Sequence, residues 1–154
     1  MASIDKYVRT RQAMLLMILN SLESQRLVSG QGSMAELASI QGMDRTLKEY
    51  CTVRIAGPRS TGHTSAIHDL IEELEHDHRK STIALTAVAS CERLPPRDRK
   101  PDFTPMRSLD KASLAEVIFV DNAFGLAPAG ESRVYAFAGE CLRILGRVVV
   151  VLVQ

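Results

Sequence analysis

The sequence predicts an α/β fold: a three-layer parallel sheet of about four strands, with a helical extension ahead of it. Three observations carry this. Apolar, β-branched runs, "CTVRIA", "STIALTAVA", "VIFVD" and "RVVVVLV", stand apart from residue 51 onward. Segments with helical spacing separate them, and alternating strands and helices imply parallel pairing through right-handed crossovers. "VIFVD" and "RVVVVLV" are apolar without a break, as in strands covered on both faces. The chain of 154 residues, with 45% apolar and 24% charged residues, is long enough for one sizeable core.

Residues 1–48 read as an N-terminal helical extension and 49–154 as the sheet domain. Ile4, Tyr7, Val8, Met14, Leu15, Ile18, Leu19 and Leu22 fall near helical spacing, which predicts one helix over 4–28, ending near Gly30. Ser33 and Glu36 make a capping-box pattern for a second helix that Gly42 stops. "MDRTLKEY" predicts another turn or two of helix from Asp44. The stretch 33–50 resembles a helix-turn-helix with imperfect spacing; it reads better as helices that pack on the sheet or mediate assembly. After the first strand, Ile67, Leu70, Ile71 and Leu74 define one face of a helix over 63–79. "SCERLPPRDRKPDFTPMRS" is a Pro- and Arg-rich loop with no expected regular structure, and "LDKASLAE" a short helix. "ESRVYAFAGECLRIL" is a helix with Val134, Phe137, Ala138, Cys141 and Leu142 inward.

Charge excludes little, because 19 basic residues balance 18 acidic ones. A nucleic-acid partner needs a local basic patch. In 91–107, Arg93, Arg97, Arg99, Lys100 and Arg107 are diluted by Glu92, Asp98 and Asp102, so this loop reads as solvated surface. Cys51, Cys91 and Cys141 are odd in number and far apart, which argues against a disulfide framework or a structural zinc site. Cys51 and Cys141 sit in apolar patterns and read as packing residues. His76 and His78 lie among carboxylates without metal-ligand spacing. The run "AMLLMIL" lacks a following cleavage site, and "VVVVLV" is too short to span a bilayer. The expected location is cytoplasmic, with no membrane partner.

The chemistry gathers at the strand ends, where parallel sheets bind ligands. After the first strand comes Gly57-Pro58-Arg59-Ser60-Thr61-Gly62-His63-Thr64-Ser65. It matches G-x-x-x-x-G-K-[ST] at every defined position except the lysine. Gly57 and Gly62 permit a loop whose N–H groups turn inward on a phosphate, and the next helix adds its N-terminus. This loop resembles the Walker A motif of the P-loop NTPase superfamily. It is also similar to the variant loops of some viral DNA-packaging motors and small phage-encoded P-loop proteins. The resemblance implies that residues 57–65 bind the cofactor, ATP or GTP. It also implies that Thr64 ligates Mg²⁺. Where the family carries lysine, His63 is mostly neutral at pH 7, so Arg59 is the other candidate cation.

"VIFVD" ends in Asp121 and resembles a Walker B motif, whose carboxylate holds the Mg²⁺ water shell. Asn122 stands where many such enzymes place a water-activating glutamate. An amide orients water but does not take its proton. Glu131 lies nearby in sequence as a substitute base, and Gln154, at the end of the fourth strand, stands where RecA-like ATPases often place a polar sensor of the terminal phosphate. The expectation is therefore a nucleoside-triphosphate-binding domain, leaning to ATP, with catalytic candidates Arg59, His63 and Asn122 and metal candidates Thr64 and Asp121. Hydrolysis is slow or absent, and homo-oligomerisation is expected. The alternative is a non-enzymatic assembly or DNA-binding protein on a degenerate P-loop scaffold.

Overall fold

The structure is a computed structural model that describes residues 2–29, 34–55, 63–86, 104–105, 109, 112–121 and 128–153. Its helices are α1 (Ala2–Ser29), α2 (Met34–Gln41), α3 (Met43–Tyr50), α4 (His63–His76) and α5 (Pro128–Leu145). Its strands are β1 (Thr52–Ile55), β2 (Thr82–Thr86), β3 (Thr104–Pro105), β4 (Val117–Asp121) and β5 (Val149–Val153). The fold is α/β, and every strand pair is parallel, in the order β1-β5-β4-β2-β3.

The two faces of the sheet are covered by different helices. On one, Met14, Ile18 and Leu22 of α1 and Ile67, Leu70 and Leu74 of α4 pack on Val53, Ala84, Val117, Phe119, Val149 and Val151. On the other, Met34 and Ala38 of α2, Leu47 of α3 and Val134, Ala138, Cys141 and Leu142 of α5 pack on Leu85, Ile118, Val120, Val150 and Leu152. Strand alternation sends neighbouring residues to opposite faces, so every residue of β5 is buried. Each large apolar side chain so buried contributes about 1.5–3 kcal/mol before chain entropy is counted.

Crossover handedness explains the division. From β1 to β2 the chain steps across β5 and β4; from β4 to β5 it steps the other way. Right-handed connections running in opposite directions must cover opposite faces, and α4 and α5 do. The return from β3 to β4 runs in the same sense as β4 to β5. Its Leu109, Ala112 and Leu114 accordingly join the α5 side.

Three local expectations change. The Pro-rich loop contributes a two-residue edge strand, Thr104–Pro105, beside β2; an edge is where proline, with no N–H to donate, is tolerated. Residues 112–115 are not a helix. Tertiary packing decides a helix of this length, and here the segment instead buries Ala115 and packs Ala112 and Leu114 against the α5 side. Helix α5 begins at Pro128, ahead of the expected Glu131, because a first-turn proline loses no helical hydrogen bond.

Helices α1 to α3 pack on the sheet. Gln25 of α1 is buried; its Nε2 donates to the Val148 carbonyl at 2.8 Å, and the Val148 N–H approaches its Oε1 at 3.4 Å. Gly42 separates α2 from α3 at φ 102°, a torsion open to glycine. This single-residue link is shorter than the 3–4-residue turn of helix-turn-helix proteins. The exposed charges of α3 also pair internally, Lys48 with Asp44 at 3.1 Å and Arg45 with Glu49 at 2.9 Å. Replacing Gln25→Leu keeps the volume but strands the Val148 carbonyl. Urea unfolding should show a loss of about 1–3 kcal/mol, and a change under 0.5 kcal/mol would contradict this anchoring role.

Candidate functional site

The register brings one residue from each strand into a single row at the carboxyl edge. Ile55 pairs with Val153, Val153 with Asp121, Asp121 with Thr86, and Thr86 with Pro105. The end of β1 and the end of β4 are therefore level, with β5 between them. Two strand spacings put their backbones about 9.5 Å apart.

Helix α4 begins at this same edge. It runs back along the sheet and finishes beside the start of β2, where the Thr82 hydroxyl donates to Glu75 at 2.7 Å and the Lys80 N–H to the Leu74 carbonyl at 2.9 Å. Its first residue, His63, therefore belongs to the carboxyl end, as do Thr64 and Ser65 after it. Val117 and Phe119 of β4 belong to the cluster under α4. The chain leaves β1 toward α4 and leaves β4 toward α5, on opposite faces. In open α/β sheets such a divergence marks the end of the strands where ligands bind.

Of the predicted site residues, Gly57, Pro58, Arg59, Ser60, Thr61, Gly62 and Asn122 lie outside the described residues, as do Gln154 and most of 91–107. Thr64, Ser65, His63 and Asp121 are placed by backbone alone. Glu131, in the first turn of α5, is half-buried. Among the described residues no group of three metal-ligating side chains gathers, and no helix is long and apolar enough to cross a membrane.

Sequence reading missed Thr86. It ends β2 in register with Asp121. A polar residue at a strand end was the available signal, but pairing partners are set by register, which a single sequence does not display.

The opposite, amino edge is occupied differently. A hollow of about 580 Å³ opens between α1 and the starts of β2 and β5, lined by Leu19, Leu22, Met34, Lys80 and Arg147 among others. Its charges are already matched. Glu116 meets Arg147 at 2.9 Å and Lys80 at 3.9 Å, and Glu23 meets Arg26 at 2.6 Å. The ends of the strands and the start of α4 gather instead at the carboxyl edge.

Comparison of the chain with protein-family models, curated proteins and solved structures finds no match.

The described thiols are packing groups. Cys51 and Cys141 are buried, and burial pushes the Cys51 thiol up to about 12 and raises that of Cys141. Both should resist alkylation in the folded protein at pH 8 and label only on unfolding, as peptide mass spectrometry would read. Because the folded protein binds the Cys51 proton more tightly than the unfolded chain, this thiol's contribution to stability is complete below about pH 9. It should decline as pH rises toward about 12. Rapid native labelling at Cys51 would contradict the burial.

Proposed function

We propose that the carboxyl edge at the ends of β1, β5 and β4 binds a nucleoside triphosphate with Mg²⁺, ATP being favoured. The observation that carries this reading is the shared row: Ile55, which leads into "GPRSTGHT", and Asp121 stand two strands apart on one edge. The α4 start on the same edge also supports it.

The donor types fit the cofactor. A threonine hydroxyl and a carboxylate are hard oxygen donors of the kind Mg²⁺ takes, alongside water and phosphate. Bound Mg²⁺ would offset the charge of the phosphate oxygens. In this reading the N–H groups of 57–65 and the α4 N-terminus bind the anion. Arg59 and His63 supply the positive charge that the family's lysine supplies elsewhere. Asn122 orients a water molecule at the terminal phosphoryl group but has no basic lone pair to deprotonate it. The reading therefore predicts nucleotide binding with slow or absent turnover. Nucleic acid is a second candidate partner, resting on the basic residues of 91–107, which acidic neighbours dilute.

A second reading, assembly without nucleotide chemistry, is favoured by the exposed apolar residues Leu16, Met17 and Leu27 of α1. Thermal melting with ATP or GTP, with and without Mg²⁺, separates the two. At 100 times its dissociation constant the ligand should stabilise by about 2.7 kcal/mol, and Asp121→Asn should remove the Mg²⁺-dependent part. No shift at millimolar nucleotide would leave assembly as the function.

The histidine makes a pH test available. Protonation adds a positive charge beside the phosphates, so triphosphate should bind more tightly at pH 6 than at pH 8. His63→Ala should flatten that dependence. Calorimetric affinities that do not vary with pH in the parent protein would transfer the charge role away from His63.

A further inference from the structure

Helix α1 has a second face that its own sheet does not use. The inner face is spent on Met14, Ile18, Leu22 and Gln25. On the outer face Leu16 is 59% exposed, Leu27 66% and Met17 41%. Arg9, Ala13, Asn20 and Glu23 are exposed as well. At about 100° per residue, Arg9, Leu16 and Glu23 fall within about 20° of one line along the helix. Ala13, Asn20 and Leu27 repeat the same seven-residue interval beside them. Together they form one exposed stripe along the outside of the helix.

The charges choose the occupant. Arg9 and Glu23 lie on either side of Leu16, each about 10.5 Å away along the axis. A second copy turned by a two-fold axis through Leu16 sets Arg9 of each copy against Glu23 of the other, with leucine on leucine at the centre. A parallel pairing would set arginine on arginine and glutamate on glutamate, which is unfavourable. Glu23 is already fixed by Arg26, at 2.6 and 3.2 Å. Each carboxylate oxygen still has a lone pair for an incoming guanidinium. The patch is thus complementary to itself, as an isologous dimer interface requires.

We propose that the outer face of α1 is a homodimer interface, formed by antiparallel packing of two α1 helices about Leu16. One helix from each copy buries an area at the low end for specific association, so the dimer is weak and concentration-dependent. It does not depend on the nucleotide reading.

Sedimentation velocity of the full chain over a concentration series tests this. A monomer–dimer equilibrium is expected, with Leu16→Glu weakening the dissociation constant at least tenfold, roughly the effect of burying one unpaired charge. Arg9→Glu should weaken it too, because it sets glutamate against glutamate. The double exchange Arg9→Glu with Glu23→Arg should restore association, which no general loss of helix stability would do. Circular dichroism melts of each variant confirm that the exposed substitutions leave the fold intact. A monomer at every concentration, a dimer indifferent to Leu16→Glu, or a double exchange that fails to restore association would overturn the proposal.

Discussion

Strand β5 is the constraint on which the rest of the architecture depends. It is hydrogen-bonded to β1 on one side and β4 on the other, and all five of its residues are buried. A strand in that position can carry no polar side chain without a buried partner, which is why it reads Val-Val-Val-Leu-Val. Its register sets two things together. Val150 and Leu152 meet the α2, α3 and α5 side, while Val149, Val151 and Val153 meet α1 and α4. A slip of one residue would exchange the two sets and break both cores. The same register levels Ile55 with Asp121, so the packing that stabilises the fold also defines the candidate site.

The amino edge supports this register. The Val149 N–H donates to the Glu116 carbonyl at 2.8 Å and the Val150 N–H to the Cys51 carbonyl at 2.7 Å, so β5 is held where it enters. Gln25 adds a side-chain clamp at Val148. On the β1 side, the Thr52 hydroxyl donates to the Leu47 carbonyl at 2.9 Å and shares a 3.0 Å hydrogen bond with the Tyr135 hydroxyl. That links α3, β1 and α5 through partly buried polar groups with partners. The buried cysteine between them, Cys51, closes α3 where β1 begins.

The parts of this fold that a sequence displays are those governed by periodicity. Alternation of helix and strand, the apolar face Ile67–Leu70–Leu74 and the unbroken valine run were legible because each is a local pattern with one physical cause. Register was not. Nothing in "STIALT" says that Thr86 will stand beside Asp121, because that depends on both helical crossovers. Segment 112–115 was misread for a related reason: alanine and leucine suit a helix locally, and only the path from β3 back to β4 decides against it. Gln25 was overlooked in α1 because its role lies 123 residues away, at Val148. For the site, sequence supplied residue types and order, and pairing supplied adjacency at the two strand ends; the loop between 56 and 62 rests on sequence.

The proposed site has an internal logic that a single motif lacks. The N-terminus of a helix attracts an anion, and so would a glycine loop that turned its N–H groups inward. A carboxylate about two strand spacings away repels one. Taken separately the features contradict each other, and a simple anion site would be better without Asp121. They become compatible when a cation lies between carboxylate and anion, and a divalent ion would attract both. A bare glycine turn has no such requirement, and a plain phosphate site should gain affinity when the aspartate is neutralised. The sign of that change therefore separates three explanations of one arrangement. Weaker binding means a cation bridges the two groups, stronger binding means an anion alone is held, and no change means that the aspartate ends β4 for turn geometry only.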